Sequence, residues 1–200
     1  QPFNYSFINF FILPILFLLT VYVRQKSKST YRSKPYKKNL FLLGYLFGFG
    51  FYLSGIFWIA NSLTFDDNFR YLIPFAVILI PLFLALFTGA TTLIVGQFLN
   101  YNFSSILLFS GAFAFSDFIR GKILTGFPWN IWAYSWSWLT EILQILNLVG
   151  LFAFNLLVIT VFTLPAVFLF KNKIGQLSSI ICFFLVLIFS VYIYGTFSIN

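Results

Sequence analysis

Long uninterrupted runs of apolar residues dominate the sequence and limit the folds that it can adopt. Six such runs are about 20 residues long, the length at which a helix rising 1.5 Å per residue crosses the ~30 Å hydrocarbon core of a bilayer. They cover residues 6–23, 39–60, 71–98, 104–119, 148–170 and 174–195. Strands are disfavoured because an open sheet in lipid would leave backbone groups without partners. The sequence therefore predicts an all-α membrane protein, a polytopic bundle of about six transmembrane helices that forms one domain over residues 1–200.

The composition agrees with lipid as the main solvent of the chain. Charged residues make up 8% of the sequence and hydrophobic residues 60%, whereas an ordinary soluble domain is about 25% charged. The chain has no histidine and one cysteine, which excludes a Ser-His-Asp triad, HExxH zinc sites, internal disulfide bonds and thiolate metal clusters. We expect no metal and no cofactor, and we expect Cys182, in the middle of the last run, to be chemically inert.

The distribution of positive charge predicts the orientation of the bundle. Loops rich in Lys and Arg stay in the cytoplasm, and we prefer this explanation over RNA or anionic lipid as a ligand of the first loop. That loop, residues 24–38, contains seven cations and no acid: Arg24, Lys26, Lys28, Arg32, Lys34, Lys37 and Lys38. Alternation of the spans then places residues 61–70 and 121–147 outside, and residues 99–103 and 171–173 inside. The prediction is a multi-pass membrane protein with a Trp-rich interfacial segment on the outer, periplasmic side and no nucleic-acid partner.

The most unusual stretch of the sequence, residues 120–129 (RGKILTGFPW), falls on the predicted outer side. Asp117 and Arg120 share one helix face at a spacing of three, so we expect an ion pair at the membrane boundary. The pair has two interpretations. It is either a structural contact, or it includes an arginine that holds a phospholipid phosphate through charge-assisted hydrogen bonds, with Lys122 as a second cation. Gly126 and Pro128 favour a chain reversal after the helix.

Tryptophan is concentrated immediately after this reversal. The spacings of three and four predict a short helix that begins at Pro128 and carries its tryptophans on one side. An aromatic belt at the boundary between lipid and water is the preferred interpretation. The alternative is a groove beside Arg120 for acyl chains and a headgroup. Four of the five tryptophans lie within ten residues: Trp129, Trp132, Trp136 and Trp138.

Small residues recur at helical spacing in the second run, where they predict the close approach of another helix. They are Gly44, Gly48, Gly50, Ser54 and Gly55, and the first two form a GxxxG motif. The run ends near Trp58, which is therefore predicted to lie at the outer boundary of the membrane. The simplest interpretation is that Trp58 belongs to the aromatic belt.

Two further polar features have local explanations that we prefer. Asp66 and Asp67, adjacent on the first outer loop, would cap the next helix; metal binding or acid–base catalysis is the alternative. A sparse polar stripe along the fifth helical segment predicts hydrogen bonds between helices rather than a wet crevice. Its members are Glu141, Gln144, Asn147 and Asn155.

The sequence resembles the membrane half of bacterial apolipoprotein N-acyltransferase over nearly its whole length. The resemblance rests on GFGFYLSGIFW (residues 48–58), FIRG (118–121), LTGFPW (124–129) and the pair Tyr134 and Ser135, in this order. The block RG-xxx-TGFPW is its most specific part, and the glycine-rich helix supports it.

The resemblance implies a function in lipoprotein biosynthesis at the bacterial inner membrane, with the active face on the periplasmic side. Members of this family transfer an acyl chain from a phospholipid to the N-terminal amine of a diacylglyceryl-cysteine lipoprotein. They use a cysteine thioester, with a glutamate and a lysine as partners, in a nitrilase-like periplasmic domain. That domain is expected after residue 200, so the resemblance implies no catalytic residue in this segment, which should be inactive alone. Its implied part is to position the phospholipid donor and the apolipoprotein acceptor through substrate-binding residues Trp58, Arg120, Gly126, Phe127, Pro128 and Trp129.

Two functions of other classes remain open. A small transporter or channel would use the polar stripe and Asp117 as its pathway. A lipid-linked glycosyltransferase would need Asp66 and Asp67 for metal binding or acid–base chemistry. Neither function explains the RG-xxx-TGFPW block.

Overall fold

The fold is built from helices throughout the described part of the chain. The computed structural model describes residues 6–27, 36–56, 58–62, 64–65, 67–123, 128, 130–170 and 174–199. In these ranges there is no strand. The α-helices are α1 (Asn9–Ser27), α2 (Tyr36–Ile56), α3 (Ile59–Ser62), α4 (Ile73–Val95), α5 (Phe103–Lys122), α6 (Thr140–Leu143), α7 (Leu146–Thr163) and α8 (Ile174–Ile199). Short 3-10 helices cover Ser6–Ile8, Asp67–Leu72, Trp132–Trp136 and Leu164–Leu169.

Within the described ranges, six helical stretches are long and apolar enough to cross a membrane. They are Ser6–Lys26, Tyr36–Ile56, Arg70–Val95, Phe103–Lys122, Leu146–Leu169 and Ser178–Ile199. Each overlaps one of the six apolar runs, so the predicted all-α polytopic bundle is confirmed, and the protein is a multi-pass membrane protein. The fourth span is longer than predicted because α5 continues to Lys122, which places Arg120 in its last turn. The second span is shorter, because α2 ends at Ile56.

Helices α2 and α4 pack most extensively against each other. A Cβ atom built on Gly44 would lie 2.6 Å from the carbonyl oxygen of Thr88, and one on Gly48 would lie 3.0 Å from Thr88 Cβ. Thr92 Oγ1 donates a hydrogen bond of 2.9 Å across the interface to the carbonyl of Leu40. Because lipid is as apolar as these side chains, the hydrophobic effect does not drive the two helices together. Close packing and hydrogen bonds hold them instead. The predicted close approach through small residues is confirmed.

The main apolar core lies between α1, α5, α7 and the 3-10 helix Leu164–Leu169. Its centre is aromatic: Phe17 meets Phe109 edge to face with ring centroids 5.5 Å apart, and Phe10 meets Phe162 in the same way at 4.8 Å. Edge-to-face geometry brings the positive rim of one ring to the negative face of the other. Helix α8 packs on the outside of this core, against α6 and the 3-10 helix Leu164–Leu169.

Contacts between connections show which of them share an end of the bundle. At one end, Arg24 Nη1 donates to the carbonyl of Leu99 and, over 2.8 Å, to Asn100 Oδ1. At the other end, Ser6 Oγ donates a 2.5 Å hydrogen bond to the carbonyl of Ser135. We call these the inner end and the outer end, after the sides that the charge pattern predicts for them.

The structure corrects the predicted start of the tryptophan-bearing helix and shows a kink within the polar stripe. The short tryptophan-bearing helix begins at Trp132 instead of Pro128, because Asn130 (φ 48°) and the extended Ile131 separate the proline from it. The polar stripe is not continuous. The backbone leaves helical geometry at Gly150 (φ 75°, ψ 170°), a conformation that favours glycine. This kink separates Asn155 from the earlier members of the stripe, Glu141, Gln144 and Asn147.

Candidate functional site

A buried ion pair lies in the last turn of α5. Arg120 Nη2 donates to Asp117 Oδ1 over 2.8 Å, and the two side chains are 3% and 9% exposed. The predicted ion pair is confirmed. Two buried charges recover their desolvation cost only when the geometry is good and further hydrogen bonds satisfy the remaining polar atoms. Neighbouring helices supply such contacts here.

Side chains from two other helices contact the ion pair. From α7, Asn155 Nδ2 donates to Asp117 Oδ2 over 2.8 Å, so each carboxylate oxygen accepts a hydrogen bond. From α2, the buried ring of Tyr52 lies 5.1 Å from the guanidinium carbon of Arg120, a cation–π contact. We call Tyr52, Asp117, Arg120 and Asn155 the buried cluster. It joins α2, α5 and α7 near the outer end.

The 3-10 helix Trp132–Trp136, here called the tryptophan helix, is bonded directly to this cluster. Asn155 Oδ1 accepts a 2.9 Å hydrogen bond from the backbone N–H of Ala133. The residue before the helix, Ile131, provides no side-chain cap. Because the first N–H groups of a helix have no partner within it, the amide of α7 takes the place of a local cap. For Asn155, the predicted hydrogen bonding between helices is confirmed.

The chain around the tryptophan helix is also bonded to α2 and to the beginning of the first span. Asn9 Nδ2 donates to Ser135 Oγ over 2.9 Å, next to the bond from Ser6 to the Ser135 carbonyl. Asn130 Nδ2 donates to the carbonyl of Phe51 over 3.3 Å. The sequence did not single out Ser6 and Asn9 as contact residues, and it marked Ser135 only as part of the family resemblance. The available signal was the presence of Ser6 and Asn9, two polar side chains, at the start of an apolar run.

The tryptophans do not form one exposed shelf. Trp132 is 4% exposed and stacks on Phe51 with ring centroids 4.3 Å apart. Trp136 is half-buried and stacks on Phe162 at 6.0 Å. The belt interpretation is therefore wrong for Trp132, which is part of the packed bundle. Trp138 is exposed, as a belt residue would be.

Three of the six residues predicted to bind substrate lie in the described part of the chain. Arg120 is inside the buried cluster. Trp58 follows the end of α2 and is 47% exposed. Pro128 lies beside the end of α5, where its Cβ would be 3.4 Å from a Cβ atom built on Gly121. Gly126, Phe127 and Trp129 lie outside the described residues.

The last turn of α2 brings the region of Trp58 towards the segment that follows Pro128. A Cβ atom built on Gly55 would lie 2.5 Å from Asn130 Cγ, so the side chain of Asn130 packs directly against the backbone of α2 at Gly55. The substrate-binding role of all six residues stays a prediction. For the alternative pair of carboxylates, Asp66 and the side chain of Asp67 lie outside the described residues.

Two further polar side chains near the buried cluster, those of Tyr134 and Lys122, are suited to structural contacts. Partial burial raises the pKa of the Tyr134 hydroxyl above its ordinary value, and the positive charge of Arg120 opposes this shift without cancelling it. The phenol therefore stays protonated at neutral pH. Lys122 is exposed, with its ammonium 5.9 Å from the centre of the Phe118 ring.

The described residues do not bring a thiol and a carboxylate together. Cys182 is exposed on α8, whereas Glu141 contacts the same helix at Gly195, where a built Cβ would lie 2.5 Å from the Glu141 carbonyl carbon. Thirteen residues separate positions 182 and 195 of this helix, about 20 Å along its axis. Among the described residues there is also no cluster of three or more His, Cys, Asp or Glu that could hold a metal ion.

Comparison with known proteins identifies the family. The family described as "Apolipoprotein N-acyltransferase N-terminal domain" matches residues 1–164. The apolipoprotein N-acyltransferase of Rickettsia prowazekii is 31% identical over 192 residues, which cover 94% of this chain and 37% of that protein. Those of Brucella melitensis biotype 1 (36% over 125 residues) and Rickettsia bellii (33% over 156 residues) match 62% and 76% of this chain. These matches cover 24% and 30% of the two relatives, respectively.

This chain thus spans between 24% and 37% of the length of these three relatives. The family match extends from the first residue through α7 and includes the buried cluster and the tryptophan helix. Because the match covers most of the sequence, the chain belongs to the apolipoprotein N-acyltransferase family, of which it contains the N-terminal membrane domain.

Proposed function

We propose that this chain is the membrane-embedded part of an apolipoprotein N-acyltransferase, which moves an acyl chain from a phospholipid to the N-terminal diacylglyceryl-cysteine of lipoproteins. The family match over residues 1–164 carries the proposal. The same match disfavours a transporter, a channel or a glycosyltransferase. The proposed location is the bacterial inner membrane, with the outer end of the bundle facing the periplasm.

The proposed part of this segment is positioning. Bonds from three of the spans hold the tryptophan helix and the residues around it, so the outer end presents a preorganised surface at the level of the lipid headgroups. Holding two reactants in a productive orientation supplies a large part of a rate enhancement without any bond being made by the support. The nucleophile comes, in this proposal, from a nitrilase-like domain outside these 200 residues.

The substrate contacts that we propose lie around the end of α2 and after the end of α5. Trp58 is the exposed member in the described part of the chain, and Gly126, Phe127, Pro128 and Trp129 belong to the segment that follows α5. Arg120, buried in its pair with Asp117, contributes by fixing the helix end from which that segment continues. The competing role for Arg120, direct contact with a phosphate, makes a different prediction for its partner Asp117.

The two roles of Arg120 are separated by comparing Arg120→Ala with Asp117→Asn. If the ion pair fixes the helix end, both variants raise KM for the phospholipid, because each removes one half of the pair. If Arg120 binds phosphate directly, Arg120→Ala raises KM and Asp117→Asn leaves it near the wild-type value. The measurement is acylation of a diacylated lipoprotein in membranes that contain the full-length protein.

Replacing Trp58 with alanine is expected to raise KM for the phospholipid about tenfold, the equivalent of ~1.4 kcal/mol of lost contact with the lipid. Folded abundance should stay unchanged, since Trp58 is 47% exposed and lies outside the core. Phe98→Ala is the control, because Phe98 is also an exposed aromatic residue but lies next to Leu99 at the inner end, away from the proposed substrate contacts. Equal changes of KM in the two variants would remove Trp58 from the site.

The proposed orientation predicts opposite labelling of the two ends. In a Cys182→Ser background, a cysteine introduced at Ser137 should react with a membrane-impermeant maleimide in intact spheroplasts. A cysteine at Asn100 should react only after the membrane is permeabilised. Both positions are exposed, so access depends on the side of the membrane. Labelling of position 100, but not 137, in intact spheroplasts would overturn the periplasmic assignment of the outer end.

A further inference from the structure

The side chain of Asn155 is fully buried and uses both ends of its amide. Its Nδ2 donates to Asp117 Oδ2 over 2.8 Å, and its Oδ1 accepts from the backbone N–H of Ala133 over 2.9 Å. A buried amide costs free energy unless its polar atoms are bonded. A carboxylate only accepts and a backbone N–H only donates, so these two partners fix the orientation of the amide.

This geometry connects the ion pair to the tryptophan helix through one side chain. Asp117 is held from one side by Arg120 and from the other by Asn155. The far end of the Asn155 amide then sets the position of the second residue of the tryptophan helix. The two rings on that helix, Trp132 and Trp136, stack against the bundle and must move if it shifts.

We propose that Asn155 is a positioning residue of the acyltransferase, coupling the Asp117–Arg120 pair to the tryptophan helix and so orienting the surface on which the phospholipid donor is held. This inference rests on the function proposed above. It assigns to α7 a role in substrate binding that does not require Asn155 to touch the lipid.

Asn155→Leu removes both hydrogen bonds with little change in side-chain volume. The expected result is a rise of about tenfold in KM for the phospholipid with kcat unchanged, the size of one lost hydrogen bond to a charged group. Asn147→Leu is the matched control: Asn147 lies on the same helix but is exposed, and its side chain donates to a near neighbour in sequence, Gln144.

A reciprocal exchange tests whether the hydrogen-bond pattern itself matters. Asn155→Asp keeps the acceptor for Ala133 but places a second carboxylate against Asp117, so it should impair acylation at least as much as Asn155→Leu. Adding Asp117→Asn restores a donor and an acceptor at the contact and moves the negative charge from position 117 to position 155. The double variant should have a lower KM than Asn155→Asp, because the repulsion between two carboxylates is removed, but a higher KM than the wild type, because position 117 no longer forms the ion pair with Arg120. No such recovery is expected if position 155 merely tolerates no change.

Tryptophan fluorescence provides a readout that is independent of the reaction. In a background with Trp58, Trp129 and Trp138 replaced by phenylalanine, Trp132 and Trp136 report on the tryptophan helix alone. In vesicles of phosphatidylethanolamine and phosphatidylglycerol, Asn155→Leu should increase quenching by iodide, while Asn147→Leu should not.

Unchanged quenching in Asn155→Leu would overturn the coupling. Increased quenching with an unchanged KM would overturn the role of that coupling in substrate binding. If the unaltered enzyme acylates no lipoprotein, the proposed function fails instead. In that case the quenching comparison still decides whether Asn155 holds the tryptophan helix.

Discussion

Arg120→Leu is expected to lower the free energy of unfolding by about 3–5 kcal/mol, the cost of leaving a buried charge without its partner. In the variant, the Asp117 carboxylate stays at a site where it is 9% exposed and keeps its hydrogen bond from Asn155. Asp117→Leu should be similarly damaging because it removes the carboxylate that pairs with the buried Arg120 guanidinium. Replacing both residues with leucine removes the two charges together and should cost less than either single change.

A double-mutant cycle measured by unfolding in mixed detergent micelles gives the coupling between the two side chains. Lys122→Leu is the control: this cation is two positions further along α5 but is exposed, so its loss should change stability by less than about 0.5 kcal/mol. A double variant whose loss equals the sum of the two single losses would show that the pair is not coupled. The same proteins serve in the acylation assay, which separates instability from loss of substrate binding.

Gly44→Leu is expected to prevent α2 from packing on α4, with most of the chain failing to reach the folded state. A Cβ at this position would lie 2.6 Å from the backbone oxygen of Thr88 and 2.8 Å from Thr92 Cβ. Backbone atoms cannot rotate away as the end of a long side chain can, so the helices must separate. Overpacking costs ~1–3 kcal/mol when side chains can adjust and more when the backbone must move. Separation would also break the bond from Thr92 to the Leu40 carbonyl.

Gly50→Leu is the matched control, since no atom lies within 4 Å of a Cβ built on Gly50 of the same helix. The recovery of monodisperse protein in detergent and its resistance to limited proteolysis compare the two variants directly. Equal recovery of Gly44→Leu and Gly50→Leu would show that the contact between α2 and α4 tolerates a large side chain.

The features that depend on local spacing were predictable from the sequence. A run of about 20 apolar residues identifies a span without reference to any other part of the chain. The ion pair of Asp117 and Arg120 follows from a spacing of three on one helix, and the small face of α2 follows from Gly44 and Gly48. The two residues of the ion pair, and likewise the two glycines, lie about one helical turn apart, so their spacing can be read directly from the sequence.

The features that were missed depend on which helix faces which. Asn155 and Ala133 are 22 positions apart and Asn9 and Ser135 are 126 apart, and no periodicity encodes such pairings. Burial of Trp132 was missed for a related reason. A tryptophan at the end of a span has the same sequence pattern whether its ring lies in the lipid boundary or, as here, stacks on Phe51.

The position of the ion pair within a single helix has a consequence for biogenesis. A lone charge at the centre of an inserting helix costs ~2.5–3.5 kcal/mol, and α5 pairs Asp117 with Arg120 one turn away, while Lys122 lies exposed at its end. The neutralisation of Asp117 by Arg120 needs no contact from another span, so this pair can enter the bilayer already formed, before Asn155 reaches it. Assembly of the bundle then adds contacts around a dipole that is already in place.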